Sequence, residues 1–194
     1  NLNGYIPPEI GDLAYLTRLN FYGNQLSGDI PTQIFNISTL TDLTLAWNEL
    51  SGNIPPEIGN LLNLTSLYIQ ANQFTDSIPK EIGLLSNLTS INLGLNQLSG
   101  EIPSEIGNLS NLQQLWFYDN QLTGSIPAEI GNLSMLDHLN MGGNQLSGNI
   151  PPEIGNLTNL NQIYLYVNQL SGSIPVEISS LTNLETLVLH DNQL

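Results

Sequence analysis

The sequence has 194 residues, a formal net charge of −15 from 17 acidic and 2 basic residues, and no cysteine. This balance argues against nucleic acid as a partner, because phosphate binding relies on clustered Lys and Arg. It also argues against direct contact with an anionic membrane surface. The absence of cysteine excludes disulfides, thiolate metal sites and cysteine nucleophiles. No apolar stretch approaches the roughly 20 residues that a membrane-spanning helix needs.

The chain repeats every 24 residues, without insertion or deletion. We number the units 1 to 8 from their Ile-Pro pairs, which begin at Ile6, Ile30, Ile54, Ile78, Ile102, Ile126, Ile150 and Ile174. An asparagine recurs in step, at Asn24, Asn48, Asn72, Asn96, Asn120, Asn144, Asn168 and Asn192. A fixed period of this length predicts a stacked solenoid in which no unit folds alone.

Each unit predicts three elements in chain order: a short helical turn after the Ile-Pro pair, a strand, and a second, shorter strand. In unit 7 the apolar columns are Ile150, Ile154, Leu157, Leu160, Ile163, Leu165 and Leu170. Ile163 and Leu165 alternate at the strand period, and the strand ends at Asn168, whose amide can satisfy backbone groups where the chain turns. We therefore expect the asparagine column to form a structural ladder through the stack.

The pattern L-x-x-L-x-L-x-x-N-x-L-S-G-x-I-P-x-x-I-G-N-L resembles the plant-type leucine-rich repeat and covers the whole chain. The resemblance implies an α/β solenoid, a right-handed superhelix of eight 24-residue units with a parallel inner sheet. A second short sheet and 3-10 or short helical turns are implied on the outer side. Similar proteins are receptor-like ectodomains and secreted proteins. Most of them are extracellular or cell-surface recognition modules rather than enzymes, and their ligands usually bind the inner sheet.

We expect residues 1–194 to form a single repeat array. The sequence begins and ends within a unit, and it lacks the cysteine-paired caps that plant ectodomains carry. Because terminal repeats need a polar outer face, this predicts an uncapped segment of a longer array, or a protomer that stacks end to end.

Aromatic residues collect on the predicted inner face. Strand residues that flank the buried pair point to the sheet surface, and five of the seven Tyr and both Trp occupy such positions. Tyr and Trp favour binding hot spots, although they also favour strands in general. The residues predicted to bind ligand are Tyr22, Trp47, Tyr68, Trp116, Tyr118, Asp119, His138, Tyr164 and Tyr166, with the densest group in units 5 to 7.

The predicted inner face is also acidic. Its carboxylates are Asp42, Asp119, Asp137, Glu185 and Asp191, and only Arg18 opposes them. A basic or neutral ligand is therefore favoured over an acidic one.

No catalytic, cofactor or metal site is predicted. His138 and His190 lack a clustered third ligand, and no Ser-His-Asp set or phosphate-binding loop is present. A carboxylate column follows the helical turns at Glu9, Glu57, Glu81, Glu105, Glu129, Glu153 and Glu177. We interpret it as a solvated face or as capping of helix starts, with bound calcium as the alternative.

Six glycosylation sequons are present, and they suit a secreted protein. Their asparagines are Asn36, Asn63, Asn87, Asn108, Asn132 and Asn156.

The favoured function is an extracellular, non-enzymatic recognition module that binds a peptide, protein or polysaccharide through the inner face. One alternative is a filament or adhesin segment that self-associates end to end through Leu2, Ile6 and Ile10 at one end and Leu187, Leu189 and Leu194 at the other. The second is ice binding by a hydroxyl column, which consists of Ser27, Ser51, Thr75, Ser99, Thr123, Ser147 and Ser171. Mixed charge in the neighbouring row argues against ice binding.

Overall fold

The structure is a computed structural model that describes residues 1–194, and its chain coils once per repeat unit. Each unit adds one strand to a parallel inner sheet, whose neighbouring strands are in register one repeat apart, as in the pair Leu139 and Ile163. The eight strands are Arg18–Asn20, Asp42–Thr44, Ser66–Tyr68, Ser90–Asn92, Gln114–Trp116, His138–Asn140, Gln162–Tyr164 and Thr186–Val188. This confirms the predicted leucine-rich repeat superhelix of 24-residue units.

The predicted helical turns are all 3-10 helices of five residues. They are Pro8–Asp12, Thr32–Asn36, Pro56–Asn60, Lys80–Leu84, Ser104–Asn108, Ala128–Asn132, Pro152–Asn156 and Val176–Ser180. Each begins after a proline whose φ lies between −63° and −71°. Because the proline ring restricts φ to this range, it prepares the turn without a side-chain cap. None of these helices has the length and apolarity that crossing a bilayer requires.

Neighbouring 3-10 turns approach closely at a glycine in most units. A Cβ on Gly131 would lie 2.6 Å from the carbonyl oxygen of Glu153 in the next unit, so only glycine fits. In unit 2 Phe35 occupies this position instead, and it is 1% exposed. Units 2 and 3 are therefore held together here by a buried phenyl ring rather than by backbone contact.

The second sheet is present but discontinuous. One part joins Asn3–Gly4, Gln25–Gly28 and Glu49–Leu50, another joins Ser99–Glu101 to Gln121–Thr123, and a third joins Ser147–Gly148 to Gln169–Leu170. Isolated bridges continue the pairing between these parts, at Asn53 with Thr75, Ser77 with Ser99, and Ser171 with Gln193. A column of left-handed glycines lies along this sheet, and Asp76 replaces one of them with φ +62°.

One apolar core of 47 buried residues runs through the stack. All seven apolar columns of unit 7 are at most 2% exposed. The residues predicted to line the open ends differ from one another: Leu2, Leu187 and Leu194 are exposed, whereas Ile6 lies in the core at 3%. The prediction for Ile6 was wrong because its side chain packs into the apolar core instead of facing the open end.

The asparagine column ties each unit to the one before it. Asn144 is typical: its Nδ2 donates to the carbonyl oxygens of Phe117 at 3.0 Å and Met141 at 3.1 Å, and its Oδ1 accepts from the Leu122 amide at 3.1 Å. These bonds satisfy buried backbone groups of two units at once, which fixes the distance and twist between them.

A second, outer set of asparagines makes a weaker link of the same kind. The Nδ2 of Asn111 donates to the Ser86 carbonyl oxygen at 2.8 Å, and the equivalent bonds start from Asn63, Asn87, Asn159 and Asn183. The sequence interpretation missed this ladder, although the column is visible in the repeat.

Candidate ligand-binding face

The predicted ligand-binding residues all lie on the solvent-facing side of the inner sheet, which we call the inner face. Tyr68, Trp116 and Tyr164 are the last residues of their strands, and His138 is the first residue of its strand. Tyr22, Tyr118 and Tyr166 come two residues after a strand ends, and Trp47 and Asp119 come three residues after. Tyr22 and Trp47 are more than half exposed, whereas the rings in units 5 to 7 are half-buried.

The structure brings together the residues of units 5, 6 and 7. The Trp116 and His138 rings make a T-shaped contact across neighbouring strands, with centroids 6.5 Å apart and an interplanar angle of 61°. The Tyr164 hydroxyl donates to Gln162 Oε1 at 3.3 Å on its own strand. Tyr22, Trp47 and Tyr68 stay apart from this group, because they belong to units 1 to 3 of a sheet that pairs only neighbouring units.

Large and small residues alternate along this part of the face. Tyr118 and Tyr166 occupy equivalent positions in units 5 and 7, and the same position in units 4 and 6 is Gly94 or Gly142. A Cβ on Gly94 would overlap the Tyr118 ring, and a Cβ on Gly142 would overlap the Tyr166 ring. Each tyrosine ring therefore lies over the glycine of the preceding unit. This orientation is possible because glycine has no Cβ that would overlap the ring.

The histidines differ in their carboxylate contacts. His190 Nδ1 makes a 2.8 Å hydrogen bond with Asp191 Oδ2, and the His190 ring stacks on Tyr166 with centroids 5.5 Å apart. His138 Nδ1 lies 2.9 Å from Asp137 Oδ2, but without hydrogen-bond geometry, so this buried nitrogen has no hydrogen-bond partner. At the other end of the face, Asp42 forms a 3.2 Å ion pair with Arg18.

The Tyr166 hydroxyl is electrostatically coupled to its neighbours. Burial raises the pKa of Tyr166 above its ordinary value of 10.0, and the Asp119 carboxylate and Tyr118 raise this pKa further. Both effects disfavour the phenolate, by desolvation and by repulsion of like charges. Tyr118, Asp119 and Tyr166 thus form one electrostatic cluster, although they come from two units separated by a third.

The sequence interpretation missed several residues that shape this site. Gly94, Gly142 and Gly143 carry no side chain and so gave no signal of their own. His190 was considered only as a metal ligand, yet its ring stacks on Tyr166. The alternation of glycine and tyrosine at one position of successive units is the signal that could have revealed them.

Other predicted sites show distinct environments. No group of three His, Asp or Glu side chains is placed to hold a metal ion, so the column from Glu9 to Glu177 forms no such cluster.

Four of the sequon asparagines are exposed at the ends of 3-10 turns without side-chain hydrogen bonds: Asn36, Asn108, Asn132 and Asn156. In contrast, Asn63 and Asn87 donate to backbone carbonyls at 2.8 and 2.9 Å.

The repeats identify the family. The Leucine Rich Repeat family pattern matches residues 15–37, 39–61, 63–85, 87–109, 111–133 and 135–157, which is more than half of the chain. The chain belongs to the leucine-rich repeat family. A comparison with curated proteins found no match.

The solved structures that resemble this chain include plant receptors and a plant ice-binding protein. The chain is 43% identical to the plant peptide hormone receptor RGFR1 in complex with RGF2, with a TM-score of 0.97 over 98% of this chain and 30% of that one. It is 40% identical to the Arabidopsis receptor kinase HAESA, solved with the peptide hormone IDA and the co-receptor SERK1, with a TM-score of 0.95 over 98% of this chain and 32% of that one. A plant ice-binding protein is 33% identical, with a TM-score of 0.70 over 98% of this chain and 69% of that one.

These likenesses define the class of protein. The chain has the repeat architecture of plant receptor ectodomains, a ligand-binding type of module, and no enzymatic family is indicated. It spans about a third of the length of the receptor chains that it matches.

Proposed function

We propose that the chain is a ligand-binding segment of an extracellular, receptor-like protein and that it binds a peptide along units 5 to 7 of the inner face. The likeness to peptide-hormone receptors supports a peptide over a polysaccharide. The observation that carries the location is the cluster of half-buried aromatic rings around Trp116, Tyr118 and Tyr166, which no other part of the face matches. Rings of this kind provide large, rigid contact area at low entropic cost.

The inner face suits an extended chain. Its strands are short and parallel, so successive units present side chains at a spacing of about 4.8 Å. A peptide that crosses the strands would meet the Trp116 and Tyr118 rings of unit 5 and the Tyr166 ring of unit 7, which reaches over Gly142 of unit 6. These rings provide flat apolar surfaces against which peptide side chains can pack.

The two tryptophans provide a matched test. A randomised peptide library is selected against the chain, and the selected peptides are measured against Trp116→Ala and Trp47→Ala. We expect roughly a 30-fold loss of affinity for Trp116→Ala, the size of a hot-spot residue, and less than about a twofold change for Trp47→Ala. Failure to select any peptide, or equal losses for the two variants, would contradict the proposal.

Ice binding is less well supported, despite the likeness to a plant ice-binding protein. The hydroxyls of Ser27, Thr75 and Ser147 donate to backbone carbonyl oxygens at 3.3 to 3.4 Å, so three of the seven hydroxyls in the column offer water only their acceptor lone pairs. Charged Asp29 and Glu101 interrupt the adjacent row. A thermal-hysteresis measurement is the direct test.

A further inference from the structure

Asp119 and Glu185 are the inner-face carboxylates without a basic partner, and of the two only Asp119 lies in units 5 to 7. Asp42, Asp137 and Asp191 each lie within 3.2 Å of a basic side chain of this protein. The Asp119 carboxylate is exposed and makes neither a hydrogen bond nor an ion pair, although it lies in the densest aromatic part of the face. It therefore keeps its full capacity to accept hydrogen bonds from a ligand.

Asp119 and Tyr166 each occupy the space beside one of two consecutive glycines in unit 6. A Cβ on Gly143 would overlap Asp119 Oδ1 from unit 5, and a Cβ on Gly142 would overlap the Tyr166 ring from unit 7. Unit 6 is the only unit with glycine at both positions. The carboxylate and the phenol ring thus lean toward each other across the glycine pair, although their strands are not neighbours.

The chemistry of this arrangement favours a cation. A carboxylate beside aromatic rings can bind an ammonium or a guanidinium through a charge-assisted hydrogen bond and through cation–π contact. A guanidinium fits better, because it is planar, stacks on rings and donates two parallel hydrogen bonds to a carboxylate. The net charge of −15 also attracts a cationic ligand over a longer range.

We propose that Asp119 and Tyr166 form a subsite for the guanidinium of an arginine in the bound peptide. The guanidinium pairs with the Asp119 carboxylate beside Gly143 and packs against the Tyr166 ring, which lies over Gly142. This subsite rests on the proposed peptide-binding function and specifies the peptide's chemistry. It also accounts for the glycine pair, because the missing side chains let the carboxylate and the phenol ring approach each other over unit 6.

A small probe tests the subsite directly. N-acetyl-arginine amide and its uncharged counterpart N-acetyl-citrulline amide are titrated into the chain, and the amide resonances of Gly142 and Gly143 are followed by NMR. We expect saturable shifts with the arginine probe and at least about tenfold weaker binding of the citrulline probe, because the charge pair is lost. Equal shifts with the two probes would overturn the subsite.

Two matched variants distinguish binding at the Asp119 carboxylate from attraction by the net negative charge of the chain. Asp119→Asn removes the proposed partner, and asparagine tolerates the left-handed φ of +50° at this position. Asp191→Asn makes the same charge change at the equivalent position of unit 8, where His190 already occupies the carboxylate. We expect about a tenfold loss for Asp119→Asn and less than about a twofold loss for Asp191→Asn. Equal losses would show that only net charge matters and would reject the subsite.

The peptide library distinguishes the two proposals. If the subsite is correct, selected peptides carry arginine at one fixed position, and this preference disappears against Asp119→Asn but remains against Asp191→Asn. Peptides that depend on Trp116 but show no arginine preference would reject the subsite and leave the peptide-binding function standing. Asp119-dependent binding of the arginine probe without any selected peptide would reject the peptide-binding function and leave the subsite standing.

Discussion

The two halves of the inner face share one backbone but use it differently. In units 2 to 4 the position just before the strand is Thr41, Thr65 or Thr89, and each hydroxyl donates to the threonine carbonyl of the preceding unit at 2.9 to 3.0 Å. In units 5 to 8 the same position is Gln113, Asp137, Asn161 or Glu185, and none of these side chains donates or accepts a hydrogen bond. At this position the first half bonds its hydroxyls to its own backbone, whereas the second half leaves the side chains without hydrogen bonds.

Aromatic residues follow the same division. Units 1 to 3 carry single, separated rings such as Tyr22 and Trp47, which are more than half exposed. Units 5 to 7 carry rings that contact one another or lean over glycines. The repeat itself supplies the scaffold in both halves, and a few substitutions at surface positions give units 5 to 7 the clustered rings on which the proposed binding face rests.

The largest expected effect tests the claim that the scaffold is common to both halves. Asn72 in unit 3 and Asn144 in unit 6 make the same set of hydrogen bonds and are 9% and 8% exposed. Asn72→Ala and Asn144→Ala should each lower the free energy of unfolding by about 2 kcal/mol. Each variant leaves one buried amide, that of Leu50 or Leu122, without an acceptor, and it removes one of the two asparagine donors from each of two carbonyl oxygens.

Urea unfolding followed by circular dichroism measures both variants, and Asn108→Ala is the control, since its side chain is exposed and makes no hydrogen bond. We expect a change below about 0.5 kcal/mol for this control. A clear difference between the losses for Asn72→Ala and Asn144→Ala would show that the two halves are not equivalent scaffolds.

A smaller effect is expected where the common backbone is strained. The residue before each ladder asparagine has a positive φ in all eight units, and Val167 is the β-branched member of this row, with φ +48°. A β-branched side chain fits poorly in the left-handed region, whereas asparagine is tolerated there. Val167→Asn should therefore raise the free energy of unfolding by about 1 kcal/mol.

Val167→Thr separates backbone strain from surface polarity. Threonine is polar but keeps the branched Cβ, so we expect its free energy of unfolding to stay close to that of the natural chain. If the threonine variant were stabilised as much as the asparagine variant, polarity rather than relief of strain would explain the gain. The same urea titration measures both.

Much of the fold could be predicted from the sequence, because each structural role is repeated in every unit. The apolar columns and the Asn168 position could be assigned from any one unit and checked against the others. The site was harder to predict, because the orientations of Tyr166 and Asp119 depend on the absence of a side chain one repeat earlier or later, at Gly142 and Gly143. Such contacts between units are set by packing, and a pattern within one unit carries no trace of them.

The smallest expected effect concerns the coupling of Tyr166 to Asp119. In the unfolded chain the pKa of tyrosine has its ordinary value of 10.0, whereas burial, Asp119 and Tyr118 raise the pKa of Tyr166 in the folded chain. Below the ordinary pKa both states keep the proton, and the coupling contributes nothing to the pH dependence. As pH rises between the two pKa values, the unfolded state releases a proton that the folded state retains, so the free energy of unfolding falls.

Absorbance of the phenolate measures this titration, and the difference between the natural chain and Tyr166→Phe isolates the single residue. Asp119→Asn should move the Tyr166 titration to lower pH, because the repulsion from the carboxylate is removed while the burial remains. Asp191→Asn should leave the titration where it was, since Asp191 is not among the groups that raise the pKa of Tyr166. An unchanged titration in Asp119→Asn would mean that the Asp119 carboxylate does not face the Tyr166 hydroxyl. Asp119 and Tyr166 would then not form one electrostatic cluster in the second half of the face.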